Sequence, residues 1–131
     1  MDKSIEQLEN SKWPDQEHAS SMMERCLKLR KLPISSLSPA DLRLLIGQKI
    51  GVLYIVPIAI ELLQSDPMLQ ADYYRGDLLA CVLDLPESFW SENIELHNMM
   101  VEVKIEAEIM LETMRDELLP KLSRFDFRGQ L

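Results

Sequence analysis

Apolar residues recur every three or four positions along most of this chain, and prolines and glycines cut the pattern into short pieces. In "ASSMMERCLKLRKL", Met22 or Met23, Cys26, Leu29 and Leu32 share one side while Arg25, Lys28 and Lys31 face elsewhere. That spacing predicts an amphipathic helix with a basic outer face. "SLSPADLRLLI" carries a start signal, with Ser38 placed to cap, Pro39 at the first helical position and Asp41 three residues after the cap. Leu42, Leu45 and Ile46 follow at helical spacing, and Gly47 or Gly51 ends the helix. Alternating strands joined by Asn-Gly or Asp-Gly hairpins are absent.

The most apolar stretch is "LRLLIGQKIGVLYIVPIAIELL", residues 42–63. Its unbroken apolar run, Ile50 to Ile60, is closed by Lys49 and Glu61. A membrane-spanning helix needs ~20 such residues, so the run is too short to span. Pro57 has no N–H to donate, which predicts a short turn or helix over Ile50 to Val56 and a new helix starting at Pro57. A single strand "GVLYIV", rich in β-branched residues, is the competing reading; the helical neighbours favour helices. Downstream, Asp66-Pro67 predicts a turn, and helix resumes near Gly76 or Asp77 with Leu78, Leu79, Val82 and Leu83 pointing inward. Pro86 makes another break, after which Phe89 and Trp90 anchor the next helix.

The last long element runs from about Ser91 to Leu118. At 100° per residue, Leu96, Met100, Val103, Ala107, Met110, Met114 and Leu118 form one apolar stripe, with Ile94, Val101, Ile105 and Ile109 roughly opposite. A helix apolar on two faces runs through the middle of a bundle or turns its second face to another chain. Glu95, Glu102 and Glu106 align between the stripes, and the segment holds eight acidic side chains against two basic ones. The expectation is an all-α protein: a single domain over residues 1–131, a compact bundle of about six to eight helices with one long acidic C-terminal helix. Leu45, Ile46, Val52, Ile55, Ile58, Leu62, Leu79, Val82 and Trp90 are its expected core.

Composition sharpens the picture of function. The 131 residues carry 14 basic and 22 acidic side chains, a formal net charge of -8. Nucleic-acid binders concentrate Lys and Arg on one face, and this chain does the reverse. Its field favours fast association with something basic. The N-terminus, "MDKSIEQLENSKWPDQEH", has no apolar signal core, so a cytoplasmic location away from membranes is expected. Cys26 and Cys81 lie in no ligand spacing and read as buried thiols.

No catalytic constellation can be assembled. His18 and His97 are isolated, and no phosphate loop, GxSxG elbow or HExxH is present. Glu102 and Glu106 stand one turn apart, as in a metal site, but the Glu-x-x-His motif of di-iron bundles is missing, so a solvated acidic face is the plainer reading. The chain therefore reads as a non-enzyme with no cofactor and no metal. "DYYRGD", residues 72–77, has two readings. In the structural one a tyrosine packs on the core, Gly76 permits a turn and Asp77 caps a helix. In the functional one Asp72, Tyr73 and Asp77 form a recognition patch, since Tyr and Arg are enriched at interface hot spots.

Several stretches resemble the helical immunity proteins of contact-dependent growth inhibition systems. The resemblance rests on "C..LR..P" (Cys26, Leu29, Arg30, Pro33), "DLRLLIGQ" (Asp41 to Gln48), "VP.A.E.L..DP" (Val56, Pro57, Ala59, Glu61, Leu63, Asp66, Pro67) and "YY.GDLL" (Tyr73 to Leu79), with "FW" shortly after. It covers roughly residues 26–90. It implies a cytoplasmic antidote that binds a toxin domain delivered by neighbouring bacteria, often a nuclease, and blocks its active site. A nuclease presents a basic groove, which an acidic protein can fill. Glu95, Glu102 and Glu106 are the first choice for toxin contacts, and Asp72, Tyr73 and Asp77 the second, on a monomer or weak homodimer. A helical adaptor or homodimerisation module with no toxin partner is the alternative.

Overall fold

The computed structural model describes residues 2–129. Helices follow in order as α1 (Ile5–Glu9), α2 (Ser21–Leu29), a 3-10 turn (Ile34–Ser36), α3 (Pro39–Gly47) and α4 (Val52–Ser65). Then come α5 (Asp77–Leu83), α6 (Glu87–Glu92), α7 (Ile94–Thr113), a π turn (Met114–Leu118) and α8 (Leu119–Leu122). No strand forms among the described residues, where β pairing is limited to the isolated bridges Ser4–Pro33 and Gln70–Arg75. The all-α expectation holds, and "GVLYIV" supplies the cap Gly51 and the first turns of α4. None of the described helices is long and apolar enough to cross a membrane.

The start of α3 forms as its sequence predicts. Ser38 Oγ accepts from the Asp41 amide at 3.1 Å, and the Asp41 carboxylate accepts from the Ser38 amide at 3.0 Å. Arg25 on α2 donates to the same carboxylate at 2.8 Å, so the cap also ties two helices together.

At Pro57 the sequence expectation is corrected. Helix α4 runs unbroken from Val52 to Ser65 with Pro57 inside it. The missing N–H deprives the Leu53 carbonyl, one turn earlier, of its donor. Leu53 is an exposed residue, on the side of α4 where water can replace that bond, and the apolar faces of its neighbours hold the helix together. Because the helix never restarts, it keeps one phase. Ile55, Val56, Ala59, Ile60 and Leu63 are fully buried, while Val52, Ile58 and Leu62 are only partly so.

The rest of the expected core, Leu45, Ile46, Ile55, Leu79, Val82 and Trp90, is buried. Leu83 is exposed because it points about 100° past Val82 on α5. Leu32 is exposed as well, since α2 ends with Arg30 as its C-cap and the helical phase stops there. Cys26 is buried, but Cys81 is only partly so. The long acidic helix begins at Ile94 rather than Ser91, which belongs to α6. Met100, Val103 and Ala107 of α7 are buried, with Leu96, Met99 and Met110 packed beside them; α4 is a main neighbour of this helix.

Two features fasten the N-terminal segment. Gly51 caps α4 with φ +64°, and a Cβ there would come within 2.7 Å of the Ile5 side chain, so any other residue would have to displace Ile5 and hold a strained backbone. Arg30, 1% exposed, donates through Nη2 to Glu9 Oε1 at 2.6 Å and to the Ser11 carbonyl at 3.1 Å. Its guanidinium lies 4.0 Å from the Trp13 ring centre.

Candidate partner-binding surface

Glu95, Glu102 and Glu106 all lie exposed on α7. No ion pair engages any of them among the described residues, where the charge contacts of α7 are led by Lys104–Glu108 at 3.1 Å. Two of the basic residues on and just after α2 are committed elsewhere: Arg25 to Asp41, and Lys31 to Asp15 at 3.9 Å. The structure brings Glu102 and Glu106 together on one wall of an open cleft of about 500 Å³. Its other wall is the C-terminal end of α4, Leu63 to Ser65, continued by Asp66 and Pro67, with Val103 and Met110 in the floor. The last carbonyls of a helix carry partial negative charge, so three carboxylates and a helix end converge on one concavity. Glu95 shares the helix face but lines a neighbouring depression with Asn93, Ile94 and Met99.

The second candidate patch has a different construction. Asp77 is 1% exposed, and its carboxylate faces into the protein. It accepts the amides of Ala71 at 2.7 Å, Asp72 at 2.9 Å and Tyr73 at 2.7 Å, folding the 71–73 loop around itself. Burial disfavours its charge, but the amides of Ala71, Tyr73, Asp72 and Tyr74 outweigh burial and hold the carboxyl below the ordinary carboxylate range. Arg43 of α3 stands 3.4 Å away at ion-pair distance, its guanidinium 4.5 Å from the Tyr73 ring centre. The surface offered outward is thus Asp72, Tyr73 and Tyr74, with both tyrosine rings exposed and Asp77 beneath them as the staple. Neither tyrosine packs into the core. Arg75 lies 3.8 Å from Asp66, linking this loop to the rim of the acidic cleft.

Three residues of the structure escape a sequence reading. Asp66 reads as a turn former, yet it forms part of the cleft rim. Arg30 and Arg43 are inward-turned cations, and the signal for them was their place inside "C..LR..P" and "DLRLLIGQ", where each interrupts apolar positions. No group of three or more His, Cys, Asp or Glu side chains among the described residues could hold a metal ion. His97 packs edge-on against Trp90 at 6.3 Å between ring centres.

Acidic and aromatic side chains make up this surface, and comparison with known proteins identifies the chain's family. No match to this chain is found among curated proteins or among solved structures. A family model described as CDI immunity proteins matches residues 7–100, which takes in α2 to α6, the tyrosine loop and the first turns of α7. The chain belongs to the CDI immunity protein family.

Proposed function

We propose that this immunity protein neutralises its cognate toxin by seating the acidic cleft between α4 and α7 against a basic groove of the toxin domain, blocking its active site. The carrying observation is that Glu102 and Glu106 face a concavity together while lacking an ion partner among the described residues. An unpaired exposed carboxylate adds little to folding, but beside like charges it strengthens the field that steers a basic partner. Glu95 extends that field along the helix. Tyr73 and Tyr74 supply rigid aromatic area on the adjoining loop, the residue type that dominates interface energetics. A toxin that cleaves RNA or DNA fits this surface best, because its substrate groove must be positive to hold phosphates. The protein acts as a plug in the cytoplasm of the cell that makes it, and catalyses nothing.

Cells expressing the cognate toxin domain supply the test. Co-expression of the native chain should restore growth, and Glu95→Gln/Glu102→Gln/Glu106→Gln should protect poorly while keeping its thermal midpoint. Full protection by a normally folded triple variant would remove the glutamate stripe from the interface.

A further inference from the structure

The helical rod that starts at Ile94 continues through the π turn and α8 to Leu122. The π turn ends at Leu118, two residues before Pro120, which has no N–H to donate to the preceding turn, and the Leu119 amide donates back five residues to the Met114 carbonyl. Beyond Met110 the rod leaves the bundle. The π turn and α8 make their main contacts with each other and with α7. The core-facing stripe nevertheless runs on: Met114, Leu118 and Leu122 are exposed, as are Leu111, Leu119, Phe125 and Phe127. Met110, packed against the core, is the residue from which the stripe Met114, Leu118, Leu122 continues outward.

We propose that a second copy of this chain covers the arm, in an antiparallel pairing about a two-fold axis near Asp116. The sequence is self-complementary around that point. Met110, Met114, Leu118 and Leu122 are evenly spaced about residue 116, so the pairing sets Met114 against the partner's Leu118 and Met110 against the partner's Leu122. Charge follows the same symmetry. Glu108 and Glu112 precede the axis and Lys121 and Arg124 follow it, Arg124 just past the end of α8, while Arg115, Asp116 and Glu117 sit at the axis itself. Antiparallel packing lays the basic end of each arm beside the acidic turn of the other, whereas parallel packing would set like charges side by side. An isologous contact of this kind closes on itself as a dimer and does not propagate. This pairing uses the core-facing stripe past the end of the bundle and leaves Glu95, Glu102 and Glu106 outside the contact, but it reaches the acidic cleft at its floor residue Met110, so the second copy and the toxin meet at that end of the concavity. The pairing itself is read without toxin, so its failure is distinguishable from failure of the toxin proposal.

Sedimentation velocity on the full chain over a range of concentrations tests the pairing. The native chain should show a concentration-dependent dimer, and Met114→Glu/Leu118→Glu should remain monomeric with unchanged helical circular dichroism. Charge offers a second route that does not touch the apolar stripe. Lys121→Glu/Arg124→Glu alone and Glu108→Lys/Glu112→Lys alone should each dimerise at least about tenfold more weakly, while an equimolar mixture of the two should regain the native affinity as a mixed dimer. A native chain that is monomeric throughout, a dimer that survives Met114→Glu/Leu118→Glu, or a mixture no tighter than its components would each overturn the proposal. So would a monomeric chain whose arm becomes protected from protease only when toxin domain is added, because the toxin would then be the occupant.

Discussion

The first half of the α7–α8 rod and its second half obey the same hydrophobic period but have opposite surroundings. From Met100 to Ala107 the stripe is buried against the bundle; from Met114 to Leu122 it is exposed. The difference lies in the neighbours rather than in the rod. The rod from Ile94 to Leu122 would extend for about 43 Å at ~1.5 Å per residue, and the 14 residues of α4 beside it only about 21 Å. Amphipathic spacing states which face of a helix seeks cover. It does not state whether the same chain supplies that cover. The family match stops at residue 100, so the buried half of the stripe straddles its edge and the exposed half lies wholly beyond it.

The contrast can be broken most directly by truncating one side chain in each half of the molecule. Ile60→Ala in the fully buried face of α4 should cost about 2–5 kcal/mol in chemical denaturation. Leu119→Ala on the arm should leave the monomer's unfolding midpoint within experimental error, when measured at concentrations too low for pairing. Equal losses at the two positions would mean that the arm folds back onto the bundle in solution.

Glycines sharpen the picture within the bundle. Gly51→Ala should destabilise by about 1–3 kcal/mol, since the new Cβ meets Ile5 and the residue holds a positive φ. Gly47→Ala should be neutral or stabilising by up to about 1 kcal/mol, because it sits in the last turn of α3 with its nearest neighbour, Cys81 Sγ, at an ordinary 3.7 Å. Thermal melts of the two variants separate these outcomes. A Gly51→Ala protein as stable as the native one would show that the α1–α4 contact is loose.

A smaller effect is expected at Asp77, and it depends on pH. The folded-state carboxyl lies below its unfolded value, so its contribution is present above the unfolded value near 3.8 and is lost as pH falls through the folded value. Asp77→Asn should cost about 1–3 kcal/mol at neutral pH, because an amide accepts the loop N–H groups less well than a carboxylate. Its stability should also fall less steeply than that of the native protein on acidification below about pH 4. Parallel acid-dependence curves would show that the carboxylate is not what holds the 71–73 loop.

Local signals in the sequence were readable where they were self-contained. Ser38, Pro39 and Asp41 specify the start of α3 within four residues, and the spacing of Glu95, Glu102 and Glu106 places them on one face. Pro57 misleads because its cost as a helix interrupter is offset by burial on the opposite side of α4, which no local rule records. Asp77 was legible as a helix-start residue. Its inward orientation depends on Arg43, far away in sequence, and on a loop that curls back over it. Arg30 depends likewise on Glu9, Ser11 and Trp13 of the N-terminal segment. The acidic cleft combines one legible wall, the glutamates, with a second wall that only the packing of α4 against α7 creates.

The association rate of the purified chain with its cognate toxin domain, followed by stopped flow at increasing ionic strength, tests the central claim about that cleft. The native chain should associate rapidly at low salt and slow steeply as salt rises, since screening shortens the reach of its field to about 8 Å near physiological ionic strength. Glu95→Gln/Glu102→Gln/Glu106→Gln should be slower at low salt, and the two curves should converge at high salt. Superimposable curves at every salt concentration would contradict the account and place the toxin on another face of the molecule.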